Sequence, residues 1–399
     1  MRNVLFVLDP LGTGTAWRSL ALAEQLHSLF PAIAPHFLAG PASARLLRAA
    51  GRFPVEDGLA AVVPDAALLT RDGDPGALAR AAERTARRLA PRHAHAALKA
   101  ARALSAELVV VDGLLAAAPV LRRGRFEVAL LADDLLEEPA ERGFTRWLAA
   151  RIIRRAVVAS TRLRFLFGEP SQFASPELRV WSRRFFRYAG AISGAARVSV
   201  RRCATLRDEL GLGSRKLVVI AAGSAFAAGR FETALQAAAQ LAATRGDLVL
   251  NLFPGPELAL DADAARDAIA PAELCERIAI ADVVIACGGR SLLSECAGLR
   301  VPTLALPLPG HPRQARTVDW FAGRHGIRRL PPGERTRDQE VAAISAALDE
   351  LLRHPDRHRP HDFADAEEQR RNAAWLADLL AEHLGRRRPA SPEDCAAAE

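Results

Sequence analysis

Residues 286–315 read ACGGRSLLSECAGLRVPTLALPLPGHPRQA, and their polar side chains gather where hydrophobic runs give way to helical patterns. The run DVVIA ends in Gly288–Gly289, and a helix is expected to begin near Ser291. The unpaired amides of Gly288, Gly289, Arg290 and Ser291, together with the helix dipole, suit a diphosphate. Glu295 follows in the first turns of that helix. Its two oxygens suit the paired hydroxyls of a ribose, or the residue simply complements the helix dipole. The next hydrophobic run ends at Pro307, and the loop GHPRQ brings His311 and Gln314 towards the same place. A second glycine turn opens the chain, where NVLFVL runs into DPLGTGTAWRS. Gly12 and Gly14 match the first two glycines of G-x-G-x-x-G, but Trp17 stands at the third. The second strand, ending near Gly40, offers no acid for a ribose, so the dinucleotide fingerprint fails. A P-loop fails too, because no GK[ST] follows. What remains is a tight turn that brings backbone close to a ligand at a helix N-terminus.

The elements that must hold these turns can be read from hydrophobic periodicity. The 399 residues, 50% hydrophobic and 25% charged, suit a globular chain of two domains. Strands are expected at 3–8, 35–40, 107–113, 127–134 and 156–161, with helices such as Ala16–Leu29 and Pro91–Ser105 between them. The pattern restarts with continuous apolar runs at 216–224, 247–255, 282–289 and 301–310, as buried parallel strands require. The resulting expectation is α/β, with two Rossmann-like parallel-sheet domains facing a cleft. The first spans 1–190, a linker 191–205 and the second domain 206–362. A long amphipathic helix covers 363–388, and a disordered tail 389–399 ends the chain. The five cysteines show no CxxC pairing and read as free thiols of a reducing compartment. No leader pattern opens the chain, and no apolar run approaches the ~20 residues of a membrane span. A cytoplasmic protein is expected, and its net charge of +8 is compatible with anionic substrates or an anionic membrane surface.

The 286–315 stretch resembles the donor-binding signature of GT-B nucleotide-sugar glycosyltransferases. The branch in question includes the peptidoglycan lipid-intermediate GlcNAc transferase and related bacterial and archaeal proteins. Its pattern, roughly GGxxTLxEALxxGxPxLxxPxPGHxEQxxNA, is matched at Gly288, Gly289, Glu295, Pro302, Pro307, Pro309, Gly310, His311 and Gln314. The chain departs at Ser291–Leu292, at Arg313 (an acid in the family) and at Arg316–Thr317. The opening loop resembles GxGHxxRxxxLAxxL through Gly12, Gly14, Arg18, Leu22, Ala23 and Leu26, but the family histidine is Thr15 here. LRDELGLGSRKLVVIAAGS is similar to the entry to the family's second domain, with Gly223–Ser224 as its phosphate-proximal turn. The resemblance covers roughly 1–30 and 185–330. It implies a transferase moving a sugar from a nucleotide diphosphate, UDP-linked, to an unidentified lipid-linked or small-molecule acceptor. Gly288–Ser291 would hold the diphosphate, Glu295 the ribose, and Gln314 with His311 the donor sugar. It implies no bound metal and no cofactor beyond the UDP-sugar as co-substrate.

Transfer with inversion needs a base to take the acceptor hydroxyl's proton. Thr15 has no useful basicity and is left to position a ligand or cap a helix starting at Ala16. Asp112 in VVVDG, Asp9 before the opening turn, and Asp133 or Asp134 in LLADD end strands that face the expected cleft. Asp112 is the first choice and Asp9 the second. Two alternatives remain: a nucleotide-sugar hydrolase, which shares the opening-loop and donor patterns but would also be expected to keep the histidine, and a non-catalytic GT-B binding or scaffold protein, which Thr15 favours. On a helix over 141–158, Phe144, Trp147, Leu148 and Ile152 share one face, flanked by Arg142, Arg146, Arg151, Arg154 and Arg155. That segment is either an ordinary helix covering the sheet or a peripheral contact with anionic lipid through 141–155, at the inner face of the membrane. His93 and His95 cannot share a helix face, and His354, His358 and His361 sit among prolines and arginines, so no metal site is expected. A single tyrosine and dispersed arginines argue against nucleic acid as a partner.

Overall fold

The computed structural model describes residues 1–10, 13–60, 62, 75–133, 143–173, 175–221, 228–253, 273–333 and 336–385. Among them lie two sheets in which every strand pairing is parallel. The first is built from β1 (Arg2–Leu8), β2 (Ile33–Leu38), β3 (Val55–Glu56), β4 (Leu108–Asp112), β5 (Val128–Ala132), β6 (Leu163–Leu166) and β7 (Arg187–Tyr188). Their order is β3-β2-β1-β4-β5-β6-β7. The second is built from β8 (Lys216–Ala221), β9 (Leu248–Phe253), β10 (Val283–Ala286), β11 (Thr303–Ala305) and β12 (Arg328–Arg329), in the order β12-β11-β10-β8-β9.

Continuous apolar runs form these strands because helices cover both faces of each sheet. In β1, Val4, Phe6 and Leu8 enter one core while Leu5 and Val7 enter the core behind it, as the two-residue period of a strand dictates. The chain leaves β1 to one side for β2 and later returns to its other side as β4. The second sheet does the same, with β9 on one side of β8 and β10 on the other. These are the switch points at which open parallel sheets present their strand ends to a ligand. Asp9 and Asp112 follow or end the strands at the first switch, and Gly288 follows β10 at the second.

The C-terminal helix Ala366–Gly385 returns to the first half, where Leu376, Leu380 and Leu384 share a core with Leu22 and Leu26 of the opening helix Gly14–Leu29. It also fastens the connecting segment. Ser193 Oγ donates to Gln369 Oε1 at 2.7 Å, and the Arg370 guanidinium donates to the carbonyls of Ala196 and Val198, both at 3.1 Å. That segment contains a 3₁₀ turn, Gly194–Arg197, followed by the helix Val200–Glu209.

One expected strand is corrected. Residues 156–160 of AVVAST lie inside the helix Gly143–Ser160, and the strand comes later, at Leu163–Leu166. Val157 is buried, and the hydroxyls of Ser160 and Thr161 donate back to the carbonyls of Ala156 and Val157, four residues earlier. Tertiary packing thus overrides the strand preference of two valines. The opening helix begins at Gly14, not Ala16, and its N-cap residue is Thr13, so Thr15 lies within the first turn and caps nothing. In the helix Gly143–Ser160, Val157 packs inward while Ile152 and Ile153 are exposed. Arg142 and the side chains of Phe144, Arg146, Trp147 and Leu148 lie outside the described residues, as do the tail from 389 onward, Gly12, Asp134, Gly223 and Ser224. Among the described residues, no helix is long and apolar enough to cross a membrane.

Candidate active site

Gly288 adopts φ 74°, the left-handed region that glycine favours, and turns the end of β10 into the helix Arg290–Gly298. A Cβ on Gly288 would sit 3.4 Å from Pro307 Cα and 3.5 Å from Gln314 Oε1, so the bare backbone lets these loops close together. Gln314 is thereby placed beside the glycine turn, where its Oε1 accepts the Leu308 amide at 3.0 Å. His311 caps the helix Pro312–His325, its Nδ1 accepting the Gln314 amide at 3.4 Å. Gly289, the N-cap of Arg290–Gly298, has no side chain to satisfy the amides that follow it.

The start of the opening helix of the first half lies against this turn. A Cβ on Gly14 would fall 2.7 Å from Ser291 Cβ and closer still to its Oγ. Two helix N-termini, one from each half, therefore converge at Gly14 and Ser291. The side chain of Thr15 is turned inward here, its Oγ1 buried without a hydrogen-bond partner.

One turn behind Ser291, Glu295 is 2% exposed and packs under the connecting segment. A Cβ on Gly194 would lie 3.0 Å from Glu295 Oε1 and 3.4 Å from Trp17 Cβ. Burial pushes the Glu295 carboxyl up to about 8, against the pull of the Gly194 amide that it accepts. Oε1 has no partner, and neither has the buried indole nitrogen of Trp17. The consequence for stability has a definite sign. The folded chain keeps a proton that the unfolded chain loses above the ordinary glutamate value of 4.5. Stability is unaffected below that value and falls as pH rises towards 8, by at most about 1.4 kcal/mol per pH unit. Glu295→Gln, which cannot ionise, is expected to gain in melting temperature over the wild type as pH is raised between these values. Parallel melting curves check this, and a gap independent of pH would show that Glu295 does not titrate in this range.

The strand-end aspartates sit in different surroundings. Asp112 is 0% exposed, and both its oxygens are taken. Arg18 Nε donates to Oδ2 at 3.1 Å, Arg18 Nη2 to Oδ1, and Ser19 Oγ to Oδ2 at 2.8 Å. An acceptor hydroxyl would reach Asp112 only by opening this arginine fork. Arg18, matched by the opening-loop pattern, is a buried positioning residue, stacked 4.2 Å over the Phe167 ring. It reaches on to Asp133, with Nη1 3.4 Å from Oδ2. Burial would raise the Asp133 carboxyl, but Arg18, Arg313 and Arg290 overcome it and hold the group down to about 2. Asp9 packs its side chain over Gly113, whose φ of 83° and bare Cα permit the approach; a Cβ there would be 3.3 Å from Asp9 Oδ2. Among the described residues, no three His, Cys, Asp or Glu side chains are grouped as metal ligands would be.

Sequence reasoning missed the contacts that join the halves. Arg290 donates to Gln172 Oε1 at 2.7 Å, Trp320 Nε1 to Ser171 Oγ at 3.4 Å, and Arg324 lies 3.5 Å from Glu169. The turn 169–172 carries no motif, and its partners lie more than a hundred residues away. The Arg18–Asp112 pair did leave a signal: an arginine inside the apolar run AWRSLALA demands a buried partner.

No family model matches the sequence. A glycosyltransferase of Methanopyrus kandleri, itself uncharacterised, is 40% identical over 76 residues, which span 19% of this chain and 22% of that relative. A spinosyn rhamnosyltransferase superposes with a TM-score of 0.59 at 16% identity, covering 97% of this chain and all of that one (100%). A calicheamicin glycosyltransferase superposes at 0.55 and 18% identity, covering 98% and 100%. S. aureus MnaA, solved with UDP, superposes at 0.56 and 12% identity, covering 96% of each chain. With two parallel sheets and a last helix that returns to the first half, the chain has the GT-B glycosyltransferase fold.

Proposed function

We propose that the chain is a glycosyltransferase that moves a sugar from a nucleotide diphosphate, UDP-linked, to an acceptor hydroxyl. The observation that carries this reading is the convergence of two helix N-termini at Gly14 and Ser291. Leaving-group charge grows on the diphosphate as the sugar departs, and backbone amides already aimed there stabilise it without reorganisation. In this reading Gly288–Ser291 hold the diphosphate, Glu295 the ribose and Gln314 the sugar, and no step calls for a metal. The ribose assignment of Glu295 uses its place one turn after Ser291 on the helix Arg290–Gly298. Asp9 takes the role of base, because Asp112 is closed by Arg18 and Asp133 is held by arginines.

Glu295→Ala is expected to weaken UDP binding about tenfold, as the loss of neutral hydrogen bonds of ~0.5–1.5 kcal/mol each requires. Calorimetry on the folded variant reads this directly, and unchanged affinity would remove Glu295 from the donor site. The reaction itself is decided by product analysis with UDP-sugars. Sugar on an acceptor supports the transferase. Free sugar points to a hydrolase. Tight UDP-sugar binding without turnover would make this a GT-B binding protein, the alternative that Thr15 in place of a histidine favours. The fold alone does not choose, since a UDP-N-acetylglucosamine 2-epimerase candidate of Listeria monocytogenes superposes as well, with a TM-score of 0.58 at 12% identity.

A further inference from the structure

Three guanidinium groups, drawn from both halves, act on the Asp133 carboxylate at the end of β5. Arg18 of the first half approaches to 3.4 Å and Arg313 of the second to 3.7 Å, while Arg290 lies near enough to stabilise its charge. Arg18 is committed to Asp112 through its fork. The other two belong to the helices that frame the Gly288 turn. Arg290 opens Arg290–Gly298, where Gln172 Oε1 and the Trp320 ring, 5.9 Å away, hold its guanidinium. Arg313 stands in the first turn of Pro312–His325, one residue before Gln314, and its side chain is half exposed. Its Nη2 forms an ion pair with Asp133 Oδ1 at 3.7 Å, made between the two halves.

A sugar that bears only hydroxyls is best held by groups that both donate and accept. A guanidinium only donates, and its planar fork fits a carboxylate or a phosphate. Asp133 itself shows the class of group that these arginines take. Arg313 also stands where the family pattern has an acid, so the charge next to Gln314 is reversed. We propose that the transferred sugar carries a carboxylate, as a uronic acid does, bound by Arg313 and Arg290 beside Asp133. The assignment rests on the donor-site reading above. It places the anion on the donor sugar because both arginines lie on the second half, at the starts of the helices given there to diphosphate and sugar.

The test is calorimetry with UDP, UDP-glucose and UDP-glucuronate on the wild type and on Arg313→Gln, with melting temperature as the control for folding. The wild type is expected to bind UDP-glucuronate at least about tenfold more tightly than UDP-glucose, a preference that fades as salt is added. Arg313→Gln should bring that ratio close to one while UDP affinity stays as in the wild type. Wild-type protein that binds UDP but accepts both sugars alike would overturn the proposal and leave the donor site standing. If UDP itself does not bind, the donor-site reading falls and this one falls with it. A third arm uses glycerol phosphate as a competitor in transfer assays. Competition that Arg313→Gln abolishes, with no discrimination between the two UDP-sugars, would place the anion on the acceptor and so overturn the assignment.

Discussion

Asp9→Asn is expected to lower single-turnover transfer by about 10²- to 10⁴-fold, the usual share of a general base, with UDP affinity close to wild type and melting temperature as the control for folding. The substitution keeps the shape of the side chain and removes its basicity. The Asp9 backbone amide donates to the Asp112 carbonyl at 2.9 Å, which fixes the residue at the end of β1 whatever its side chain. The side chain lies over Gly113, where no Cβ intervenes, so an amide of the same size has room. Among the described strand-end carboxylates, Asp112 is enclosed and Asp133 is held far below the working pH by arginines. A carboxyl held near 2 is a poor proton acceptor, because its conjugate acid is too strong to form at neutral pH. Asp9→Asn that turns over at the wild-type rate would require a base elsewhere, from the acceptor itself or from the segments that flank the opening turn.

Why the sequence offered both Asp112 and Asp9 as candidate bases has a physical answer. Both follow runs of buried aliphatic residues, NVLFVL and LVVVD, and a strand buried on both faces announces itself by such continuity. The strand's exit towards the cleft is therefore legible, as are the glycine turn at 288 and the helix after it. What surrounds the exit is not. Arg18 lies 94 positions from Asp112, and only the packing of the opening helix on β4 brings the fork to the carboxylate. The same holds for Glu295, whose helix and spacing are local facts. Its burial under Gly194 and Trp17 depends on how the two halves and the connecting segment close. The edge strands Val55–Glu56, Arg187–Tyr188 and Arg328–Arg329 are two residues each, too short to show any period. The valines at 157 and 158 misled in the opposite way, since a β-branched run in a helix reads as a strand until its packing partners are known.

Arg18→Met is expected to destabilise the first half by about 3–5 kcal/mol, the cost of leaving one member of a buried pair without its partner. Arg18 is 3% exposed and Asp112 fully enclosed, so water cannot take the place of the lost guanidinium. Ser19 would remain as one donor to the carboxylate, too little to offset a buried negative charge. Two further measurements separate this account from a simple loss of arginine packing over Phe167. The defect should shrink as pH is lowered, because an unpaired buried Asp112 would be protonated in the folded state at a higher pH than in the unfolded chain. The double variant Arg18→Met/Asp112→Leu should recover much of the loss, since apolar groups of similar volume often replace a buried pair at little cost. A double-mutant cycle on thermal or denaturant unfolding measures the coupling directly. Coupling near zero, with a defect in Arg18→Met that pH does not alter, would mean that Arg18 serves there as packing alone. The Asp112 carboxylate would then owe its place at the end of β4 to some other group.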